Sequence, residues 1–188
     1  GAYGTSSDGI PPTQYRIANP YGIAWDNDRK DLYVSAFDAR RIVRFTSAGS
    51  TEHRLCNGSN ANNAANHPDG GPALNHACDR PAGLAYDSTR KRLYVANNDD
   101  DNIKYFDISD PDPSNWTGHI YICDKDGSGA CVAGSTNGAI GDDSTARVNN
   151  PWALHLDSNG LLSWTELGGC RIGIANDTGV GYSFYGGA

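Results

Sequence analysis

One segment of this chain is written three times. From Pro20 it reads PYGIAWDNDRKDLYVSAFDARRIVRF, from Pro81 PAGLAYDSTRKRLYVANNDDDNIKYF, and from Pro151 PWALHLDSNGLLSWTELGGCRIGIA. An aromatic residue (Tyr33, Tyr94, Trp164) stands 13 residues after each proline, and an isoleucine (Ile42, Ile103, Ile172) stands 22, 22 and 21 residues after it. A unit repeated at such a period cannot bury its apolar face alone. It must stack on its neighbours, which restricts the chain to repeat architectures.

Each unit reads as four β-strands. The run after the proline, such as Gly22-Ile23-Ala24-Trp25, is rich in small residues and suits an inner strand crowded against a common axis. Asp26, Asp87 and Asp157 end it in turns whose residues bond their own backbone. Leu32-Tyr33-Val34 and Leu93-Tyr94-Val95 are aromatic and β-branched, hence a second strand. Ile42-Val43-Arg44-Phe45 and Ile103-Lys104-Tyr105-Phe106 alternate as a third strand with one buried face. The runs 51–56, 119–123 and 182–185 supply a fourth. Four antiparallel strands per repeat, without helical periodicity, predict an all-β chain of about three propeller blades, spanning roughly 10–57, 72–124 and 142–187. Propellers close with about four to eight blades. Three therefore imply remaining blades from a longer chain or from a second copy, most simply in a ring of six.

The repeat resembles the NHL family: a Gly/Asp-rich lead, then Pro-x-Gly-Ile/Leu-Ala-x-Asp, Leu-Tyr-Val-Ala-Asn and an x-Ile-x-x-Phe strand. The second unit matches best. The third departs, with Ala153-Leu154-His155 in place of Gly-Leu-Ala, and its Leu162-Ser163-Trp164-Thr165-Glu166 is similar to the Tyr-Trp-Thr-Asp blades of lipoprotein-receptor propellers. Both resemblances imply a propeller and leave function open, because the fold hosts binders, scaffolds and enzymes.

The charge is −7, from 15 basic and 22 acidic residues, and the dense basic groups lie beside acidic ones. That balance argues against nucleic acid as partner. No apolar run is long enough to span a bilayer. Five cysteines, no methionine and three Asn-x-Ser/Thr sequons, at Asn57, Asn115 and Asn176, point to the secretory pathway and an extracellular or cell-surface glycoprotein. The start of the chain, without Met, reads as a mature product or a fragment.

Successive prolines are 61 and 70 residues apart, against about 40–50 in compact blades. The excess falls in the links 57–80 and 124–150 and in the insertion 109–118. Cys56 and Cys78 bracket the first link, and Cys123 and Cys131 bracket a short turn, so two disulfides stapling loops are expected; Cys170 is left over. Asp124, Asp126 and Ser128 resemble the first half of a calcium loop, although the twelfth position is Ser135 rather than Glu. They are the one candidate metal site, and no cofactor is otherwise expected. Asp99-Asp100-Asp101 reads as a hydrated acidic turn. In propellers of the amidating-lyase class, histidines near the axis hold zinc. Here His67, Asp69 and His76 share one loop without zinc spacing, and His155 follows the third inner strand alone.

The reading is a non-enzymatic extracellular module that contacts a protein, a glycan or copies of itself, or that builds a surface or matrix assembly. The alternative is a fragment of a secreted metal-dependent enzyme, amidating-lyase-like or lactonase-like. No catalytic residue is assigned.

Overall fold

The computed structural model describes residues 7–58, 69–125, 131–132, 148–176 and 181–184, the side chains of 124, 125, 131, 132 and 181–184 excepted. The first sheet runs in the order β1 (Pro20–Asp26), β2 (Asp31–Ala36), β3 (Arg41–Phe45), β4 (Thr51–Leu55). A two-residue strand β5 (Gly71–Pro72) precedes the second sheet of β6 (Pro81–Asp87), β7 (Arg92–Asn97), β8 (Asn102–Asp107) and β9 (Thr117–Lys125). Both β5 and β10 (Cys131–Val132) pair with β9. The third sheet is β11 (Pro151–Leu156), β12 (Leu162–Glu166), β13 (Arg171–Ala175) and β14 (Gly181–Phe184). Every pairing is antiparallel, and among the described residues the helical turns are short 3-10 segments.

The turns explain why the sequence repeats where it does. Asp26 accepts the N–H groups of Asp28 and Arg29 (2.8 and 3.1 Å), and Asp87 those of Thr89 and Arg90 (2.9 and 3.0 Å). Asp157 accepts those of Asn159 and Leu161, both at 2.8 Å. The Arg29 and Arg90 guanidinium groups close back onto Asp26 and Asp87 at 3.3 and 2.9 Å. Burial opposes the charge on Asp87, but the N–H and guanidinium of Arg90 and the N–H of Thr89 outweigh it and hold this carboxyl below its ordinary range. Left-handed backbone recurs at matching places: Asn19, Arg80 and Asn150 before each proline, Lys30, Lys91 and Gly160 in the first turn, and Arg40, Asp101 and Cys170 in the second.

The third unit departs from the count along the sequence. Its first turn is one residue shorter, so His155 pairs with Ser163 and Leu154 with Trp164, whereas Ala24 pairs with Tyr33 and Ala85 with Tyr94. Trp164 therefore stands in the place of Val34 and Val95, on the opposite face from Tyr33 and Tyr94. Ser163 holds the tyrosine position. Side chains alternate along a strand, so one residue decides which neighbour each one meets.

A second repeat lies ahead of the prolines. Asp8-Gly9 and Asp69-Gly70 open matching leads, each carrying a 3-10 turn (Pro12–Gln14 and Ala73–Asn75). Gly9 N–H bonds Thr51 of the first sheet's outer strand, as Gly70 N–H bonds Gly118 of the second's.

The sheets stack side by side, with β6 packed between β1 and β11. One core, holding Tyr33, Ile42, Leu55, Leu84, Val95, Phe106 and Trp116, fills the space between the first two sheets. Another, with Ala85, Tyr94, Ile103, Leu162 and Trp164, fills the space between the second and third. Trp116 comes from the 109–118 insertion. It lies under the guanidinium groups of Arg29 and Arg44, 5.5 and 5.2 Å from the ring centroid, and donates its indole N–H to Asp110 O at 2.8 Å. Cys56 and Cys78 are joined in a disulfide within the first core.

Candidate functional site

The inner strands converge on a cleft of about 260 Å³, lined by the residues one, two and three places after each proline: Tyr21, Gly22 and Ile23, then Ala82, Gly83 and Leu84, then Trp152, Ala153 and Leu154. Glycine is required at two of these positions by close approach. A Cβ on Gly22 would lie 2.8 Å from Leu84 N, and one on Gly83 would lie 2.6 Å from Trp152 O. A hydroxyl ties the strands together as well. Ser35 Oγ accepts the Gly22 N–H at 2.7 Å and donates to Ala82 O of the next sheet at 2.6 Å. At the matching place Thr165 Oγ1 accepts the Ala153 N–H at 3.2 Å.

Three aromatic rings sit at the end of the cleft where the links enter. Tyr21 and Trp152, from the first and third sheets, meet edge to face at 5.1 Å, and Phe37 packs against both at 4.7 and 5.7 Å. Tyr21 is 47% exposed. Arg80 lies over the Phe37 ring at 5.7 Å.

A polar rim fixes these rings. Arg40 pairs with Asp79 (2.6 Å), Arg80 with Asp99 (2.8 Å), and Asp101 accepts the Asn150 N–H (2.6 Å). Asn98 Nδ2 donates to Pro151 O at 3.2 Å. The Arg40, Asn150 and Asn98 contacts join one blade to the next, and the Arg80–Asp99 pair closes within the second. The acidic run expected as a hydrated turn is instead built into the fold, with Asp100 and Asp101 buried. Asp100 accepts from Asn97 at 2.5 Å and faces the fully buried Lys104 at 3.9 Å. Burial raises the Asp100 carboxyl above its ordinary pKa. It also pulls the Lys104 ammonium down to about 7, against the opposing charges of Asp100 and Asp79. Nothing in the sequence marked Lys104, which alternates within its strand like any outward-facing lysine.

The other candidates are dispersed. Asp126, Ser128 and His67 lie outside the described residues, as does the side chain of Asp124; the backbone of Asp124 pairs with Val132. Asp69 is exposed, accepts the Ile120 N–H at 3.1 Å and pairs with His119 at 3.4 Å. His76 is buried against the edge of Phe106 at 5.8 Å. His155 is exposed on β11. Among the described residues no three His, Cys, Asp or Glu side chains are arranged to hold a metal ion, and no helix is long and apolar enough to cross a membrane. Asn57 is exposed and donates to Asn75 O at 3.1 Å; Asn115 is exposed on a 3-10 turn; Asn176 is half-buried and its carbonyl accepts the Tyr121 hydroxyl. Cys123 is disulfide-bonded, the Cys131 side chain lies outside the described residues, and Cys170 is an exposed free thiol.

Solved structures with this arrangement of sheets are propellers. A gluconolactonase from Xanthomonas campestris is 16% identical with a TM-score of 0.56, over 90% of this chain and 48% of that one. An auxiliary nutrient binding protein from Bacteroides thetaiotaomicron is 14% identical with a TM-score of 0.61, over 89% of this chain and 36% of that one. A chain of a nidogen/laminin complex is 16% identical with a TM-score of 0.54, over 85% of this chain and 45% of that one. The fold is a β-propeller. The chain spans less than half the length of each of these proteins. No family model and no curated protein matches it. At such identities the likeness speaks for the architecture, and the three blades described above are its units.

Proposed function

We propose that this chain is part of an extracellular propeller that acts by contact, holding a protein or glycan at the axial end where the blade links enter. The observation that carries this reading is the Tyr21–Phe37–Trp152 cluster at the mouth of the cleft, with Tyr21 and Trp152 on inner strands and Phe37 at the end of the second strand of the first blade. Large aromatic side chains that are fixed in place and partly exposed supply contact area at little entropic cost, and they dominate the energetics of recognition. Among the described residues the cleft is lined by aliphatic and aromatic side chains with backbone N–H and C=O groups; the Tyr21 phenol is its one ionisable group, and no carboxylate, imidazole, thiol or amine lines it. That lining suits binding better than proton or group transfer. The Cys56–Cys78 disulfide and the exposed Asn57 and Asn115 sequons support an oxidising, secretory setting.

The test is a screen of the folded chain against immobilised glycans and extracellular proteins, repeated with Tyr21→Ala and Trp152→Ala. A ligand whose affinity falls at least about tenfold in either variant, at unchanged near-UV circular dichroism, supports the proposal. Stoichiometric metal in the native protein together with lactone or lyase turnover would favour the enzymatic alternative and sink this one.

A further inference from the structure

The contact between blades occurs twice within the chain, so the residue types that make it can be read from both copies. The blade contributing its trailing face places glycine two residues after the proline (Gly22, Gly83) and alanine four after it (Ala24, Ala85). It adds a buried tyrosine (Tyr33, Tyr94), a small residue (Ser35, Ala96) and a buried isoleucine (Ile42, Ile103). The blade receiving it presents Leu84 and Tyr86, or Leu154 and Leu156.

The first blade presents the same receiving positions with no blade against them among the described residues. Ile23 is 68% exposed and Trp25 48%, where Leu84 is 6% exposed. The third blade's trailing face does not match what such a position receives. Ala153 stands where close approach demands glycine, His155 where alanine stands, and Ser163 where tyrosine fills the space; Thr165 and Ile172 alone keep the pattern. By the geometry at Gly22 and Gly83, the Ala153 methyl would fall under 3.0 Å from the backbone of a blade packed in the same way. Overpacking at backbone and an unfilled tyrosine site both oppose the contact.

We propose that the open face of the first blade receives a further blade of this same repeat from outside residues 1–188. That blade carries glycine two and alanine four residues after its proline, with an aromatic side chain opposite the alanine. The third blade of a second copy is not the occupant. This inference does not rest on the axial cleft or on what the cleft binds.

The oligomeric state of the 188-residue chain decides it. Sedimentation of the wild type should show no two-fold ring, because that ring would have to seat the third blade of one copy on the first blade of another. Restoring the trailing signature with A153G, H155A and S163Y should create the ring, strengthening self-association by at least about 100-fold. Adding I23D to that variant should abolish the gain. The three positions lie on the outward face of the blade, and near-UV circular dichroism checks that the variant folds. If it does not, A153G with S163Y carries the same readout. A wild-type dimer broken by I23D would overturn the proposal by making the second copy the occupant. A folded signature variant that stays monomeric would overturn it by showing that the face does not select for those residues.

Discussion

Lys104 is buried where the first blade has Val43 and the third has Gly173. Its ammonium donates to Ala77 O and faces Asp100 at 3.9 Å. Removing one partner of a buried charged pair leaves the other uncompensated, so Lys104→Met, which keeps Asp100 and takes the donor from Ala77 O, should lower stability at pH 7 by up to about 3–5 kcal/mol. The pH dependence has a definite sign. With its pKa pulled down to about 7 in the native state, Lys104 loses its proton above pH 7 while an unfolded lysine keeps it to about 10.4. The unfolded chain then binds more protons, and wild-type stability rises with pH through that window. Denaturant unfolding at pH 7, 8 and 9 should show this rise in the wild type and a flatter dependence in the variant. An equal slope in both would mean that Lys104 stays charged in the folded protein. The positions one residue before each proline tell a different residue-scale story: left-handed backbone recurs at Asn19, Arg80 and Asn150, twice on asparagine, which tolerates it well, and once on arginine.

At the scale of strands, close approach makes the inner strands intolerant of a single methyl group. Gly83→Ala would set a Cβ 2.6 Å from Trp152 O, part of the backbone of the third blade. A loss of about 1–3 kcal/mol in unfolding free energy is expected. Ala153→Gly, whose methyl is exposed, should change stability by no more than about 1 kcal/mol, the intrinsic cost of glycine in a strand. Strands were the most legible part of the sequence, because the inner, second and third strands of each unit follow side-chain alternation and end in Asp-led turns. Counting from the proline failed in one place. It aligned Trp164 with Tyr33 and Tyr94, whereas the shorter turn after Asp157 puts Ser163 there. A count reads the register only while turn length is constant. The lead from Asp8 was legible and still missed: Asp-Gly-x-Pro opens both leads, 12 residues before Pro20 and before Pro81, but the count began at the prolines. The aromatic cluster at the cleft was invisible for a third reason, since Tyr21 and Phe37 belong to the first unit and Trp152 to the third, and the three meet only when the blades are stacked.

The whole molecule depends on what crosses between blades. Trp116 belongs to the second blade but packs beside Tyr33 and beneath Arg29 and Arg44 of the first. Trp116→Ala should therefore lower the unfolding free energy by about 3–5 kcal/mol. If the insertion is only a surface loop, the loss measured in denaturant will be far smaller. The disulfide acts at the same junction in another way. Cys56 and Cys78 are 22 residues apart in sequence, with Cα atoms 5.5 Å apart. Fully drawn out, that stretch would span about 75 Å. While the bond is intact, a pull along the polypeptide bypasses the slack and is carried straight from one blade to the next. Cleavage by a thiol would turn a short leash into a long one, making the reach of this junction under load a function of its redox surroundings.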